Sequence, residues 1–235
     1  MRIQILTSCT GAKRFSPDGQ LTRKDFKHLY DRPRFLSLET KLQAYQTPAA
    51  ELYTGQQHLR LLKGISNFKE TCPEAEINLW IVSAGYGLIP AYKPIVPYEC
   101  TFQGMGVKEL QSWSTFLKIP DAVRTFFLQN SDLTIVLLSE SYLRALALDG
   151  NVYYASPTLF MLSKNTRKYV MGQGQYHRLT LQTADTRRFS CGFVGLKGEV
   201  ARRLLDYLSR HKNLLQDAFF QENDNLLDIL QTVGS

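Results

Sequence analysis

Short apolar runs that alternate with longer stretches of helical spacing constrain the fold of this chain most. RIQIL (2–6), INLWIV (77–82) and LTIVLL (133–138) are short, aliphatic and bordered by polar or turn-forming residues, as buried strands are. Longer stretches such as QHLRLLKGISNF (57–68) and KGEVARRLLDYLSRH (197–211) carry apolar residues at helical intervals. This alternation predicts an α/β fold with a central, mostly parallel sheet flanked by helices.

No internal repeat, low-complexity tract or linker interrupts the 235 residues, so the sequence predicts a single α/β domain over residues 1–235. The less regular segment from NVYYAS to HRLTLQT (151–183) predicts a small appended pair of strands, and the chain is expected to end in helices. The longest apolar runs are far shorter than a membrane span, and the N-terminus lacks the apolar core of a signal peptide. A cytoplasmic protein without a membrane partner is expected.

The spacing of the cysteines and the net charge limit the kinds of site and partner that the sequence predicts. The four cysteines are scattered, with no C-x-x-C pair and no histidine cluster nearby, so free thiols, no metal site and no cofactor are expected. The net charge of +7 is spread along the chain and favours an acidic partner such as nucleic acid. A solvated basic surface would account for this charge almost as well.

The first loop of interest, TSCTGAKRF (7–15), directly follows the first predicted strand. Its small hydroxyl residues Ser8 and Thr10 and its backbone N–H groups suit a phosphate or the edge of a base, with Lys13 supplying charge. A polar turn with a solvated lysine explains the same residues, since no complete phosphate-loop motif is present.

The second loop, SAGYGLIP (83–90), leaves the second predicted strand through two glycines that flank Tyr86. Gly85 and Gly87 permit a positive φ or a close approach of the backbone, and the prolines that follow hold Tyr98 in place. Ser83, Tyr86 and Tyr98 are therefore predicted to bind a planar ring by stacking and hydrogen bonding, opposite the wall formed by the first loop. Ordinary packing of these tyrosines over the sheet is the alternative.

The third loop, LLSESYLRAL (137–146), joins a strand to a helix. Ser139 and Tyr142 are candidate substrate-binding residues, and Glu140 is the acidic group best placed to join the other two loops. Capping of the helix by Ser139 and a favourable helix dipole at Glu140 explain the pattern without function.

Basic segments provide candidate contacts with DNA. They are SKNTRKY (163–169), TRRFSCGF (186–193) and GLKGEVARR (195–203), with Arg187, Arg188, Lys197 and Arg202 as candidate DNA-binding residues. Arg187 and Arg188 stand beside Phe189, and such interleaving of cations with an aromatic ring suits exposed bases. A helix with solvated arginines is the alternative for the last segment.

In order and spacing, four segments resemble motifs of the YaaA family: ELYTGQQHLRLL (51–62), NLWIVSAGYGLIPAYKPIVPYECTF (78–102), LSESYLRAL (138–146) and GLKGEVARRLL (195–205). A fifth, ILTSCTGAKRF (5–15), is more similar to a YaaA-like branch that opens with Ser-Cys and then a lysine. YECTFQGM (98–105) departs from the usual family pattern. The resemblance implies a DNA-binding α/β protein of the peroxide-stress response. A related branch, which includes DpdC, is linked to the conversion of 7-cyano-7-deazaguanine in DNA to the amide, and this makes other DNA-modification proteins candidate partners.

This branch implies a metal-independent hydrolase that adds water to a nitrile. Such a reaction needs a nucleophile at the nitrile carbon and a proton donor for the nitrogen, and Cys9, Glu140 and Lys13 are the candidate catalytic residues. A lysine beside the cysteine favours the reactive thiolate, whereas a buried cysteine is commonly inert. Two alternatives remain: a DNA-binding stress protein without chemistry, and a small-nucleotide hydrolase or sensor.

Overall fold

A mostly parallel sheet flanked by helices forms the centre of the structure, a computed structural model that describes residues 1–211 and 223–233. The strands are β1 (Arg2–Ser8), β2 (Leu21–Thr22), β3 (Thr47–Pro48), β4 (Glu76–Ser83), β5 (Gly87–Pro90), β6 (Pro94–Ile95), β7 (Tyr98–Glu99), β8 (Leu133–Leu137), β9 (Tyr153–Leu162) and β10 (Gln173–Thr180). The helices are α1 (Arg23–Phe26), α2 (Arg32–Thr40), α3 (Ala49–Leu52), α4 (Gln56–Thr71), α5 (Val107–Phe116), α6 (Ile119–Phe127), α7 (Glu140–Leu146), α8 (Asp185–Arg188), α9 (Phe193–Arg210) and α10 (Asn223–Thr232). Short 3-10 helices span Gln43–Tyr45 and Lys164–Tyr169. The predicted α/β class with a mostly parallel central sheet is confirmed.

The central sheet has six strands in the order β10-β9-β8-β1-β4-β5. All neighbouring pairs are parallel except β4 and β5, which are antiparallel. The chain passes from β1 to β4 on one side and later returns to place β8 on the other side of β1. The carboxyl ends of β1 and β8 therefore flank the topological switch point, where open α/β sheets bind their ligands.

The two faces of the sheet support separate core layers, because alternate residues of each strand point to opposite faces. Ile3 and Ile5 of β1 pack with apolar residues of α4 and α9, whereas Leu6 packs in the layer that contains Tyr142 of α7. All residues of β8 are buried, as expected for a central parallel strand covered on both faces.

The segment 151–183 differs from its prediction. β9 and β10 pair in parallel with each other, and β9 pairs in parallel with β8, so both strands extend the central sheet instead of forming an appended pair. Only the short 3-10 helix Lys164–Tyr169 and a few further residues connect them, whereas most parallel strands are joined by a long helical crossover. The usual local signal for a parallel pair was therefore missing from the sequence.

Glycines set the close approach of α4 and α9. A Cβ atom on Gly64 of α4 would lie 2.7 Å from the Cα of Arg202, and one on Gly198 of α9 would overlap the backbone carbonyl of Gln57. Because the obstacle at Gly198 is backbone, a side chain there cannot be accommodated by a change of rotamer.

We expect Gly198→Ala to destabilise the protein by about 2 kcal/mol, which would lower Tm by about 4–8 °C. Alanine normally favours a helix interior over glycine, so the sign of this effect depends on the overlap with α4. Thermal unfolding followed by circular dichroism measures it. Gly150→Ala is the control, because a Cβ there meets no heavy atom within 4 Å. A Gly198→Ala protein as stable as the wild type would contradict the close packing of the two helices.

Candidate functional site

Cys9 lies at the switch point, immediately after β1. Its backbone N–H donates to the carbonyl of Val82 in β4 at 3.0 Å, so the turn after β1 stays against the neighbouring strand. The Cys9 thiol and the Tyr142 hydroxyl are 2.9 Å apart in a hydrogen bond. Only 6% of Cys9 and 5% of Tyr142 are exposed. The structure therefore brings together two of the predicted site residues, one from the first loop and one from the third.

A chain of hydroxyl groups continues this site toward β4. The Tyr98 hydroxyl is 2.7 Å from Ser83 Oγ and 2.8 Å from the Tyr53 hydroxyl. Cys9 also lies beside Tyr98. We call Cys9, Ser83, Tyr53, Tyr98 and Tyr142 the thiol–phenol cluster.

The phenols of this cluster stay protonated over the ordinary pH range. Burial, and after it the neighbouring Cys9, raise the pKa of Tyr98 and of Tyr142 well above their usual values. Burial likewise raises the pKa of Tyr53. A protonated phenol is a hydrogen-bond donor, so the cluster can stabilise a group that gains negative charge.

The two glycines around Tyr86 behave as the sequence predicts. Gly87 has a φ of +76°, and a Cβ on Gly85 would overlap the ring of Phe26. Ser83 Oγ accepts hydrogen bonds from the backbone N–H groups of Gly85 at 3.2 Å and Tyr86 at 3.0 Å. The loop is therefore shaped around the aromatic side chains of its own chain.

The predicted stacking surface is not open in this structure. Tyr98 is completely buried and Tyr86 is 7% exposed. Phe26 packs edge-on against both rings, with centroid distances of 5.4 Å to Tyr98 and 4.9 Å to Tyr86. The Tyr86 hydroxyl donates to Glu39 at 3.0 Å. The first and second loops meet at one edge of the sheet as predicted, but their side chains pack together where opposite walls of a pocket were predicted.

The remaining residues of the first loop cover the cluster. The Lys13 ammonium lies 4.8 Å from the centroid of the Tyr98 ring, and Thr10 Oγ1 accepts from the Gly55 N–H at 3.2 Å. Ser8 ends β1 and is 9% exposed. Lys13 therefore stands over the cluster as a cation close to an aromatic face.

Glu140 and Ser139 belong to a different part of the sheet edge. They line a cavity of about 250 Å³ together with Gln57 of α4 and Lys197 of α9. The carboxylate of Glu140 accepts from the Tyr169 hydroxyl at 2.9 Å, while Gln57 donates to the carbonyl of Leu137 at 3.0 Å. The predicted pairing of Glu140 with Cys9 is not seen, because Glu140 is held at the cavity.

The predicted DNA-binding cations are not equally available. Arg187 is exposed. Arg188 forms an ion pair with Asp228, and Arg202 pairs with both Glu199 at 2.6 Å and Asp206 at 2.8 Å. The Lys197 ammonium donates to the carbonyl of Leu138 inside the cavity. Of the four candidate DNA-binding residues, Arg187 alone is exposed.

The prediction that Phe189 forms an exposed aromatic surface between cations is wrong. It is 1% exposed and lies in the core layer beneath α9, where the guanidinium of Arg203 is 5.2 Å from its ring centroid. Base stacking on Phe189 is therefore excluded in this structure.

Sequence reasoning missed Tyr53, Gln57 and Tyr169 as site residues. Tyr53 and Gln57 lie in ELYTGQQHLRLL, a segment that resembles the YaaA family. The resemblance identified this segment but gave neither residue a role. Tyr169 lies at the end of a predicted basic segment, and only the fold shows that it reaches Glu140.

Among the described residues, no group of three or more histidine, cysteine, aspartate or glutamate side chains is arranged to hold a metal ion. No helix in the same ranges combines the length and apolar character needed to cross a membrane. Comparisons with protein-family models and with curated proteins find no match to this chain.

Proposed function

We propose that the protein is a YaaA-like hydrolase of the cytoplasm that acts on DNA and hydrates the nitrile of 7-cyano-7-deazaguanine to the amide. One observation carries this proposal: a cysteine thiol at the switch point of the sheet, 2.9 Å from a buried phenol. The resemblance to a branch related to the YaaA family, which is linked to this conversion, supplies the substrate. The chain acts as a single domain with a helical C-terminus, and other DNA-modification proteins are its expected partners.

Cys9 is the nucleophile and Tyr142 the proton carrier in this reaction. The sulfur bonds to the nitrile carbon while the nitrogen receives the phenol proton, and the phenol regains a proton from the thiol. Water then adds to the resulting thioimidate, the C–S bond breaks, and the thiol is protonated again as the amide leaves. One nitrile and one water give one amide, so the reaction requires neither an oxidant nor a cofactor.

A base can reach Cys9 only after local opening, because 6% of this residue is exposed. The covering loop, residues 10–13, is held by hydrogen bonds from Gly55 to Thr10 and from Thr54 to the carbonyl of Ala12, at 3.2 and 3.1 Å. Movement of this loop breaks few hydrogen bonds, so we place the entrance there. Substrate binding is expected to displace Lys13 from the Tyr98 ring.

The 3-10 helix Lys164–Tyr169 is the proposed contact with the DNA backbone. Lys164, Arg167 and Lys168 are exposed, and within residues 1–211 and 223–233 no ion pair involves any of them. Cations that lack a carboxylate partner can neutralise phosphates without first breaking an ion pair.

Replacing Lys164, Arg167 and Lys168 together with glutamine is expected to weaken binding to duplex DNA. The slope of log K against log salt concentration should fall by about 0.9 for each phosphate that the variant no longer neutralises, or by up to about 3. Fluorescence anisotropy at several salt concentrations measures this slope. The control replaces the exposed Lys24, Lys27 and Lys41 with glutamine, which removes the same charge elsewhere. An equal fall in both variants would show that only net charge matters.

A DNA-binding protein of the peroxide-stress type, without chemistry, is the second candidate. The closed packing of the thiol–phenol cluster favours it, since Tyr98 is completely buried and only 6% of Cys9 is exposed. In this case the cluster would be a structural polar core, and only the basic residues would matter for function.

Incubation of the protein with DNA that contains 7-cyano-7-deazaguanine, followed by digestion to nucleosides and mass spectrometry, tests the proposal. We expect the nucleoside of the amide, heavier than that of the nitrile by one water. If the protein binds this DNA and leaves the nitrile unchanged, the hydrolase proposal is wrong and the second candidate is supported.

A further inference from the structure

The cavity beside Glu140 has the properties of a reaction site separate from Cys9. It lies where β8, β9 and β10 end, and its volume of about 250 Å³ can admit a sugar ring. Leu162, Leu181 and Leu196 supply apolar walls, while Lys197 and Glu140 supply an amine and a carboxylate. An amine and a carboxylate in a largely apolar cavity are suited to proton transfer and covalent chemistry.

Lys197 loses its proton more readily than an exposed lysine does. Burial lowers its pKa to about 8. Its Nζ donates to the carbonyl of Leu138, and no ion pair with a carboxylate is found in the described parts of the chain. A lysine that only neutralises phosphate works best fully charged, whereas a nucleophilic lysine needs a free lone pair.

Glu140 connects this cavity to the basic segment. Its Oε1 accepts the hydroxyl proton of Tyr169, and Tyr169 ends the 3-10 helix that carries Lys164, Arg167 and Lys168. A DNA strand held by these cations would therefore pass the mouth of the cavity. A nucleotide whose base is missing can be turned out of the duplex at low cost, because it loses no base pair.

We propose that Lys197 forms an imine with the aldehyde of an abasic site in DNA and that Glu140 then promotes cleavage of the strand. This inference uses the DNA binding of the proposed function and is independent of Cys9. The amine adds to C1′ of the open sugar, and loss of one water gives the imine. The carboxylate of Glu140 removes a proton from C2′, a double bond forms between C2′ and C3′, and the bond from C3′ to the phosphate oxygen breaks. Water then hydrolyses the imine, which releases Lys197 and leaves an unsaturated aldehyde on one strand end and a 5′-phosphate on the other.

Trapping with sodium borohydride tests the imine directly. A duplex oligonucleotide with one abasic site is incubated with the full chain and borohydride, which reduces the imine to a stable amine. We expect a covalent complex, visible as a shifted band in a denaturing gel, and peptide mapping should locate the link at Lys197. Lys197→Gln and Lys197→Arg should each lower the yield at least about tenfold, because glutamine lacks the amine and arginine stays protonated. Lys63→Gln, at an exposed lysine of α4, is the control and should trap like the wild type.

Glu140→Gln separates the two steps. It should retain trapping and slow strand cleavage at least about tenfold, since a positioned general base typically contributes more than that. Cys9→Ala should trap and cleave like the wild type, so failure of nitrile hydration and failure of this inference are distinguishable. The absence of a covalent complex, or a complex linked through another lysine, would overturn the proposal, and this result can be read from the wild-type protein alone.

Discussion

Nitrile hydration is expected to fall below detection when Cys9 is replaced with alanine, while DNA binding and folding are retained. Without the thiol no thioimidate can form, and the Tyr142 hydroxyl loses the hydrogen bond that it makes to the thiol at 2.9 Å. The substitution removes one sulfur atom at a site that is 6% exposed, so we expect a loss of stability of only about 1 kcal/mol. Nucleoside analysis measures turnover, anisotropy measures binding, and thermal unfolding measures stability.

Cys72→Ala is the matched control for this experiment. Cys72 is 1% exposed and its thiol donates to the carbonyl of Ser209 in the other core layer, so its loss should leave turnover intact. Tyr142→Phe should retain the packing of the ring and slow turnover by about 10²–10⁴-fold through loss of the proton carrier. Turnover that survives in Cys9→Ala would exclude the thiol as nucleophile.

The strands and the edge at which the site residues meet could be predicted because they depend on local patterns. The runs 2–6 and 77–82 lie in β1 and β4, the run 133–138 extends one residue beyond β8, and parallel pairing places the carboxyl ends of these strands together. Cys9 and Tyr142 meet for this reason, although they are far apart in the chain. The positive φ of Gly87 could be predicted for the same reason, because it depends on the conformation of a single residue.

Partners chosen by tertiary packing could not be predicted from local patterns. Arg188 looks like a surface cation in the sequence, but its partner Asp228 lies 40 residues away on α10. The sequence predicts that Phe189 stacks on bases, but this residue is buried under α9. Glu140 accepts a hydrogen bond from Tyr169. Tyr169 lies close to Glu140 because β9 and β10 extend the central sheet in parallel. In each case the deciding contact comes from an element whose position the sequence pattern does not specify.

Glu199→Gln is expected to destabilise the protein by about 3 kcal/mol at neutral pH, which corresponds to a fall in Tm of about 6–12 °C. The side chain of Glu199 is 4% exposed and bonds to Arg60 at 2.9 Å, Arg202 at 2.6 Å and Arg203 at 3.0 Å. Removing its charge leaves three guanidinium groups without their shared partner. Arg203 also donates to the carbonyl of Gln231 at 2.8 Å, so α10 should loosen first. Thermal and urea unfolding measure the loss.

The pH dependence identifies the charge of Glu199 as the cause. Burial alone would raise its pKa, but the hydrogen bonds from Arg202 and Arg203, the charge of Arg202 and the hydrogen bond from Arg60 outweigh burial and lower the pKa from 4.5 to about 2. A lowered carboxyl pKa stabilises the folded state fully above about pH 4.5, and this contribution disappears as the pH falls toward about 2. The stability difference between wild type and Glu199→Gln should therefore shrink over that interval. Asp121→Asn, at an ion-paired carboxylate that is 86% exposed, should cost less than about 0.5 kcal/mol at any pH. A difference for Glu199→Gln that stays constant from neutral pH to about pH 3 would mean that packing, and not the charge shared with three arginines, accounts for its role.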